Sequence, residues 1–200
     1  MKAVLATHNR HKVEEIMDIL AGLDVELLSL DNFPEIGEIE EDGDTLEENA
    51  RKKARTVHDA THILALADDT GLEVDALGGR PGVYSARYSG ENATYSQNNE
   101  KLLGELNGVP GERRTAKFRC VISIIGDGID EIAAGEVRGT IIGETRGANG
   151  FGYDPLFVPD GHNETYAEMA SELKNSLSHR AKALAQARVI LGRLAARGTV

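Results

Sequence analysis

The chain has 200 residues, a length that can bury an apolar core without disulfide bridges or a structural metal. Hydrophobic residues make up 40% and charged residues 28%, which is typical of a globular protein and excludes an intrinsically disordered chain. Lys and Arg number 22 against 33 Asp and Glu, and this formal charge of −11 argues against a nucleic-acid polymer as partner. Any anion site must therefore be local, and we expect a divalent cation to assist it.

The sequence contains no apolar run of the length that a signal peptide or a membrane span requires. We therefore expect a cytoplasmic protein that does not bind a membrane. The single Cys120 excludes an internal disulfide, and its place in an alternating run predicts a buried structural thiol.

The first third of the chain begins with a short apolar strand that ends near Ala6. Apolar residues then recur at helical spacing and predict a helix with one buried face: Val13, Ile16, Met17, Leu20 and Leu23. The segment VELLSL from Val25 predicts a second strand. Thr45 and Glu48 have the spacing of a capping box, which predicts a helix from there to about Ala60.

The middle of the chain contains a continuous apolar run at 63–67, which predicts a strand buried on both faces. We expect this strand to stop at Asp68 and Asp69, and the segment LEVDAL from Leu72 to form another. A loop rich in Gly and Pro follows at 78–90, and a helix is predicted at 98–106.

The last third predicts two strands joined by the turn at 126–128, a brief strand at 156–158 and a final helix over 178–195. The inner face of that helix is expected to contain Leu184, Ala187, Leu191 and Leu194. These elements predict an α/β fold with parallel and antiparallel strand pairs, and no linker divides residues 1–200 into separate domains.

The residues between the first strand and the first helix form the first candidate site. A helix N-terminus attracts anions, and Thr7, Asn9 and Lys12 add side-chain donors at the same point. His8, Arg10 and His11 lie in the same loop. The alternative is that Asn9 only caps the helix and that its basic neighbours are solvated.

Two acidic segments are further candidates. The segment from Glu40 to Ala50 is also what an exposed loop and the first turn of a helix would contain. Asp68 and Asp69 are more informative, because adjacent carboxylates after a buried strand repel each other unless a cation lies between them. Mg²⁺ suits such a pair, while the alternative is a turn in which these side chains cap the backbone.

The last candidate combines the segment GANGFGYDP from Gly147 with ELKNSLSHR from Glu172. Its glycines allow close backbone approach, and Phe151 and Tyr153 offer flat faces for a nucleotide base. Donors follow near the start of the last helix, at Lys174, His179 and Arg180. Each segment alone is also typical of ordinary structure.

Taken together, the motifs resemble the inosine triphosphate pyrophosphatase family, in order from residue 3 to about 195. They are Thr7, Asn9 and Lys12; Glu41 to Gly43 with Glu48 to Ala50; Ala67 to Leu72; Gly78 to Arg87; Gly150 to Pro155; and Ser178 to Arg180. The resemblance implies an elongated mixed β-sheet flanked by helices, with two lobes and a nucleotide cleft between them. It also implies a homodimer that hydrolyses ITP, dITP or XTP to the monophosphate and pyrophosphate with Mg²⁺.

The resemblance also implies roles for individual residues. Thr7, Asn9 and Lys12 would hold the triphosphate, with His8, Arg10 and His11 beside them and Thr70 on a phosphate. Glu41 and Asp69 would hold the metal, with Asp69 also the catalytic base. The base pocket would contain Phe151, Gly152, Tyr153, Asp154, Lys174, His179 and Arg180.

Two positions depart from the family pattern. Thr70 stands where the family commonly has Ser, and Asn149 where Gly is frequent, which raises the question of a positive φ there. The rival functions are a pyrophosphatase for other nucleotides and a nucleotide-binding module without turnover.

Overall fold

A computed structural model describes residues 1–196 of the chain. Two compact units are distinguished. Unit 1 comprises residues 1–69, 120–135 and 180–196, and unit 2 comprises Thr70–Arg119 and Glu136–His179. The prediction of one domain with two lobes stays a prediction.

Residues 1–196 contain five α-helices: α1 (Arg10–Leu20), α2 (Leu46–Thr61), α3 (Tyr95–Glu105), α4 (Ser171–Leu177) and α5 (His179–Ala196). Thr45 and Glu48 form the predicted capping box at the start of α2. A second capping box, made by Thr94 and Gln97, begins α3.

The strands form a mixed sheet in the order β2-β1-β3-β5-β6-β7, with β4 paired to β3. They are β1 (Lys2–Leu5), β2 (Glu26–Ser29), β3 (Leu64–Val74), β4 (Pro81–Gly82), β5 (Thr115–Gly126), β6 (Ile129–Ile141) and β7 (Phe157–Pro159). β1 is parallel to β2 and β3, while β4 and β7 pair antiparallel to β3 and β6. The predicted α/β class with mixed strand pairing is confirmed.

Each unit has its own apolar core. In unit 1, side chains of β1, β3 and β5 pack with α1 and with the predicted inner face of α5, and Cys120 is fully buried among them. In unit 2, residues from α3, β6 and β7 surround Phe118 and Tyr166. Over residues 1–196, no helix combines the length and the apolar character needed to cross a membrane.

Several predicted boundaries are wrong. β3 does not stop at Asp68 and Asp69 but runs through them to Val74, because cationic side chains neutralise these carboxylates inside the strand. α3 begins at Tyr95 rather than Asn98, since the Thr94 capping box was not recognised. The short helix α4 was not predicted.

Candidate active site

Asp68 and Asp69 are consecutive residues of β3, so their side chains leave opposite faces of the strand. The Asp68 carboxylate is completely buried. It accepts hydrogen bonds from Nη2 of Arg180 at 3.0 Å and Nε at 3.3 Å, and Nζ of Lys12 lies 3.1 Å from its other oxygen. Two cations therefore compensate one buried carboxylate.

The Arg180 guanidinium is itself 99% buried, since only 1% of its side chain is accessible. Its Nη1 donates to Oε2 of Glu15 on α1 at 2.5 Å, in addition to its bonds to Asp68. Arg180 was predicted in the base pocket; its ion pairs with Asp68 and Glu15 lie in unit 1. Its role toward a base stays a prediction.

Asp69 belongs to a second group of charges centred on Lys53 of α2. Nζ of Lys53 lies 3.2 Å from Oδ1 of Asp69, donates to the backbone carbonyl of Asp68 at 2.7 Å and also contacts Oε1 of Glu41. We call Asp68, Asp69, Glu41 and their cationic partners Lys12, Lys53 and Arg180 the carboxylate network.

The two adjacent aspartates have opposite pKa shifts. Burial acts to raise the pKa of Asp68, but the charges of Lys12 and Arg180 outweigh it and hold this pKa well below its ordinary value. Burial raises the pKa of Asp69 above its ordinary value, and the opposing charge of Lys53 does not cancel it. Asp68 is thus a fixed anion, whereas Asp69 has a greater affinity for a proton.

Glu41 and Asp69 are suited to share a metal ion. Their carboxylate oxygens converge on one cation, the ammonium of Lys53. Burial acts to raise the pKa of Glu41, but the charge of Lys53 outweighs it and keeps this pKa below its ordinary value. Within residues 1–196, no cluster of three or more His, Cys, Asp or Glu side chains could hold a metal. Mg²⁺ commonly takes one or two carboxylates and completes its shell with water and phosphate, so the pair fits that ion.

The loop that carries Glu41 is attached to the start of α2. The backbone N–H of Gly43 donates to Oδ1 of Asn49 at 2.8 Å, and Glu48 accepts hydrogen bonds from the backbone of Asp44 and Thr45. A Cβ at Gly43 would lie 2.8 Å from Oδ1 of Asn49, so only glycine allows this approach. The two segments of this family motif, Glu41 to Gly43 and Glu48 to Ala50, are therefore packed together.

The predicted phosphate loop joins β1 to α1. Asn9 caps α1 through Oδ1, as the alternative interpretation proposed, and the Thr7 hydroxyl accepts from the Asn9 N–H at 3.2 Å. Lys12 reaches Asp68. Arg10 and His11 are exposed, as is His8, whose Nε2 contacts the carbonyl of Gly37 at 3.2 Å. Lys12 is therefore the residue of this loop that joins the carboxylate network.

A second group of predicted residues meets within unit 2. Nζ of Lys174 lies 2.7 Å from Oδ2 of Asp154 and 4.9 Å from the centre of the Phe151 ring, and the Phe151 N–H donates to the same carboxylate oxygen at 2.9 Å. We call Phe151, Asp154 and Lys174 the Phe151 cluster. Gly150 adopts φ +72°, and a Cβ there would lie 2.2 Å from Asp154.

Other predicted base-pocket residues take different positions in unit 2. Tyr153 is buried, and its hydroxyl donates to the carbonyl of Ser85 at 2.9 Å, while its neighbour Gly152 accepts from Asn99. The His179 ring is also buried and stacks on Phe118, with ring centres 4.6 Å apart. Thr70, which was predicted to contact a phosphate and not the base, is the first residue of this unit and is half-buried in β3.

The departure at Asn149 has a structural answer. Its backbone does not adopt a positive φ, and its N–H donates to Ala167 while its side-chain amide donates to the carbonyl of Met169. The conformation that would favour glycine is not required at this position.

The sequence-based selection missed Lys53 and Glu15. Lys53 had a readable signal, because it falls at helical spacing on the buried face of α2, with Leu46, Ala50 and Val57. A lysine at such a position requires anionic partners. Glu15 offered no local signal, since its partner Arg180 is 165 residues away.

Known proteins resemble this chain over nearly its whole length. A family model described as the Ham1 family matches residues 3–190. A dITP/XTP pyrophosphatase of Geobacter sulfurreducens is 53% identical over 192 residues, covering 96% of each chain. A protein of the same name from Bacillus subtilis is 49% identical over 186 residues, covering 92% of this chain and 93% of its own.

Solved structures agree with this assignment. A HAM1 protein from Coxiella burnetii superposes with a TM-score of 0.88 at 40% identity, covering 96% of this chain and 99% of its own. The Ham1 protein of Staphylococcus aureus gives a TM-score of 0.85 at 38% identity, with 96% and 98% coverage. The predicted mixed sheet flanked by helices is the fold of these proteins, and the chain belongs to the Ham1 family.

Proposed function

We propose that this chain hydrolyses the non-standard purine nucleoside triphosphates ITP, dITP and XTP to the nucleoside monophosphate and pyrophosphate, and so removes them from the nucleotide pool. Relatives about half identical to it are named dITP/XTP pyrophosphatases. The observation that carries the proposal is the arrangement of three carboxylates: Asp68 is held by Lys12 and Arg180, while Asp69 and Glu41 lie around Lys53. One carboxylate is thus occupied by fixed cations, and the other two are suited to a metal and an attacking water.

Asp69 acts as the general base. An oxygen of the attacking water forms a bond to the α-phosphorus, the bond from that phosphorus to the bridging oxygen breaks, and pyrophosphate leaves. The proton of the water passes to the Asp69 carboxylate, which is buried and held in place beside Lys53. Lys53 lies 3.2 Å from that carboxylate and restricts its orientation.

The triphosphate is bound by the loop between β1 and α1 and by Thr70. Thr7, His8, Asn9, Arg10, His11 and Lys12 supply hydroxyl, amide, imidazole and cationic donors, and the N-terminus of α1 adds its partial positive charge. Glu41 and Asp69 would hold Mg²⁺, which would neutralise negative charge on the triphosphate. Lys12 exchanges part of its interaction with Asp68 for phosphate oxygens.

The base is recognised by Phe151, Gly152, Tyr153, Asp154, Lys174, His179 and Arg180. Hypoxanthine and xanthine present an acceptor oxygen at carbon 6, whereas adenine presents an amino donor there. A site that offers donors, such as the Lys174 ammonium, is left with an unmatched donor facing adenine. We therefore expect ATP to be a poor substrate.

Arg180 tests the assignment of the base pocket. If it reads the base, Arg180→Lys lowers kcat/KM for ITP much more than for ATP, and the ratio between the two falls. If its role is confined to Asp68 and Glu15, both values fall together. The steady-state kinetics of both substrates distinguish these outcomes, and urea unfolding shows whether the variant is folded.

We further propose that the protein acts in the cytoplasm as a homodimer. Its acidic charge and the absence of a long apolar run in its sequence support a protein that does not bind membranes. Light scattering on the purified chain tests the dimer, which requires twice the mass of 21.5 kDa. A monomer at micromolar concentration would contradict it.

The decisive experiment incubates the protein with Mg²⁺ and separately with ITP, XTP, dITP, ATP, GTP and dTTP, and follows products by phosphorus NMR. We expect monophosphate and pyrophosphate from ITP, XTP and dITP, with ATP almost unchanged. Orthophosphate as product would contradict pyrophosphate release, and preferred cleavage of dTTP would indicate another substrate class. Binding of ITP without products would indicate a binding module.

A further inference from the structure

Tyr95 is an exposed aromatic residue beside the proposed base pocket. It is the first residue of α3, and 42% of its surface is accessible, although most large apolar side chains of unit 2 are buried. Its ring centre lies 6.1 Å from that of Phe151, with an angle of 41° between the ring planes. The two rings are therefore in contact and form one aromatic surface.

The Phe151 side of this contact is fixed by charge and hydrogen bonding. Its backbone N–H donates to Asp154, and the Lys174 ammonium, held by the same carboxylate, lies 4.9 Å from the ring centre. Phe151 is half-buried, so part of its ring remains accessible beside Tyr95.

The Tyr95 side is fixed by the helix that carries it. The capping box of Thr94 and Gln97 sets the start of α3, and one turn later Nδ2 of Asn99 donates to the carbonyl of Gly152 at 3.0 Å. The helix is thus bonded to the residue that follows Phe151. This bond, from a side chain of the helix to the backbone beside Phe151, helps to hold Tyr95 next to Phe151 in addition to the contact between the two rings.

We propose that Tyr95 is a specificity-determining residue, and that Tyr95 and Phe151 together form the surface on which the purine ring packs. The inference rests on the proposed function. A purine has two fused rings and covers more aromatic surface than a pyrimidine, so an aromatic surface made of two side chains favours purine nucleotides. Phe151 alone offers a smaller area.

Kinetics of Tyr95→Ala provide the first test. The KM for ITP rises about five-fold, a value at the low end for a base–aromatic contact because Tyr95 supplies only part of the surface. The kcat changes less than about two-fold, because the carboxylate network is intact. The kcat/KM for dTTP stays near the wild-type value, so the preference for the purine falls. Tyr95→Phe keeps the ring and restores the wild-type KM.

A merely structural role for Tyr95 gives a different pattern, in which kcat/KM falls by the same factor for ITP and for dTTP. An unchanged KM for ITP in Tyr95→Ala would equally overturn the proposal. If the wild-type protein neither cleaves ITP nor binds IMP, it is the proposed function that fails. A wild-type protein that does both, with Tyr95→Ala indistinguishable from it, refutes only the role of Tyr95.

Tyrosine fluorescence gives a test that does not depend on turnover. The chain has five Tyr and no Trp, so its emission comes from tyrosine. IMP stacked on Tyr95 quenches part of that emission, and Tyr95→Phe loses this part while its affinity for IMP is retained. The matched control is Tyr84→Phe, because Tyr84 is 53% exposed and its ring contacts Arg87 instead of Phe151. Full quenching in Tyr95→Phe would overturn the proposal.

Discussion

The carboxylate network of unit 1 and the Phe151 cluster of unit 2 both contain a buried aspartate paired with a lysine, yet they are built differently. In the network, each carboxylate contacts at least one cation, and Asp68 contacts two. In the cluster, Lys174 contacts one carboxylate and presents its charge to an aromatic ring. The network is suited to phosphate and metal charge, and the cluster to a flat, polar base.

This difference concerns what a ligand must replace. On the proposed function, phosphates and a metal that enter the network would exchange one set of ion pairs for another, so much of the cost of desolvating these charges is already met in the folded protein. The cluster offers apolar surface and a donor, and would therefore discriminate between bases by shape and hydrogen bonding. Substitutions in the network should affect kcat and stability, and substitutions in the cluster should affect KM.

The largest effect is expected from Asp69→Asn. The amide cannot accept the proton of the attacking water, so kcat for ITP falls about 10² to 10⁴-fold, the usual contribution of a general base. Asp127→Asn is the control, because that side chain is 97% exposed. Turnover is measured by release of pyrophosphate. A kcat within ten-fold of the wild-type value would contradict the assignment of Asp69.

The second effect concerns stability. Asp68→Asn leaves the cations Lys12 and Arg180 poorly compensated in a buried site, and we expect a loss of about 3 kcal/mol in the free energy of unfolding. Asp130→Asn is the matched control, because Asp130 also binds two arginines, Arg51 and Arg55, but at the surface. Asp130→Asn should lower the free energy of unfolding, measured with urea, by less than about 1 kcal/mol.

The acid dependence of the same pair sharpens this test. Because the pKa of Asp68 in the folded protein is below its ordinary value of 3.8, the stabilisation is complete above that pH and declines as the pH falls below it. The difference in stability between wild type and Asp68→Asn should therefore be constant near neutral pH and shrink in acid. A difference that increases in acid would contradict the role of Asp68 as a compensated anion.

A third effect tests the Phe151 cluster. Lys174→Met removes the cation from Phe151 and from Asp154, and we expect the KM for ITP to rise about ten-fold while kcat changes little. Lys101→Met is matched, because Lys101 also lies over an aromatic ring in unit 2, that of Tyr88. The KM of Lys101→Met for ITP should equal that of the wild type. Equal changes in both variants would show that the effect is not specific to the cluster.

Sequence patterns predicted those features that depend on neighbours in the chain. The helix caps illustrate this in part: Thr45 and Glu48 were read correctly and Asn9 caps α1 as one interpretation proposed, although the capping box of Thr94 and Gln97 was overlooked. The buried face of α5 was also predicted, since helical spacing alone identifies Leu184 and Leu191.

Features that depend on distant residues were not predictable in the same way. The extension of β3 through Asp68 and Asp69 needs cations from α1, α2 and α5, and without them two carboxylates inside a buried strand are unfavourable. Likewise, the segment around Gly150 does not reveal that Tyr153 is buried while Phe151 is partly accessible. The family resemblance identified these residues, but their partners follow from tertiary contacts.

The smallest effect is expected in the loop that holds Glu41. In Gly43→Ala the new methyl lies 2.8 Å from Oδ1 of Asn49, so the loop must shift and its N–H loses the bond to that oxygen. We expect a loss of about 1 kcal/mol in stability and a several-fold higher Mg²⁺ concentration for half-maximal activity, because Glu41 moves with the loop. Gly37→Ala is the control, since a Cβ there meets nothing within 4 Å and neither glycine needs a positive φ. If both variants require the same Mg²⁺ concentration as the wild type, the position of Glu41 does not govern metal binding, and the network must hold the ion mainly through Asp69.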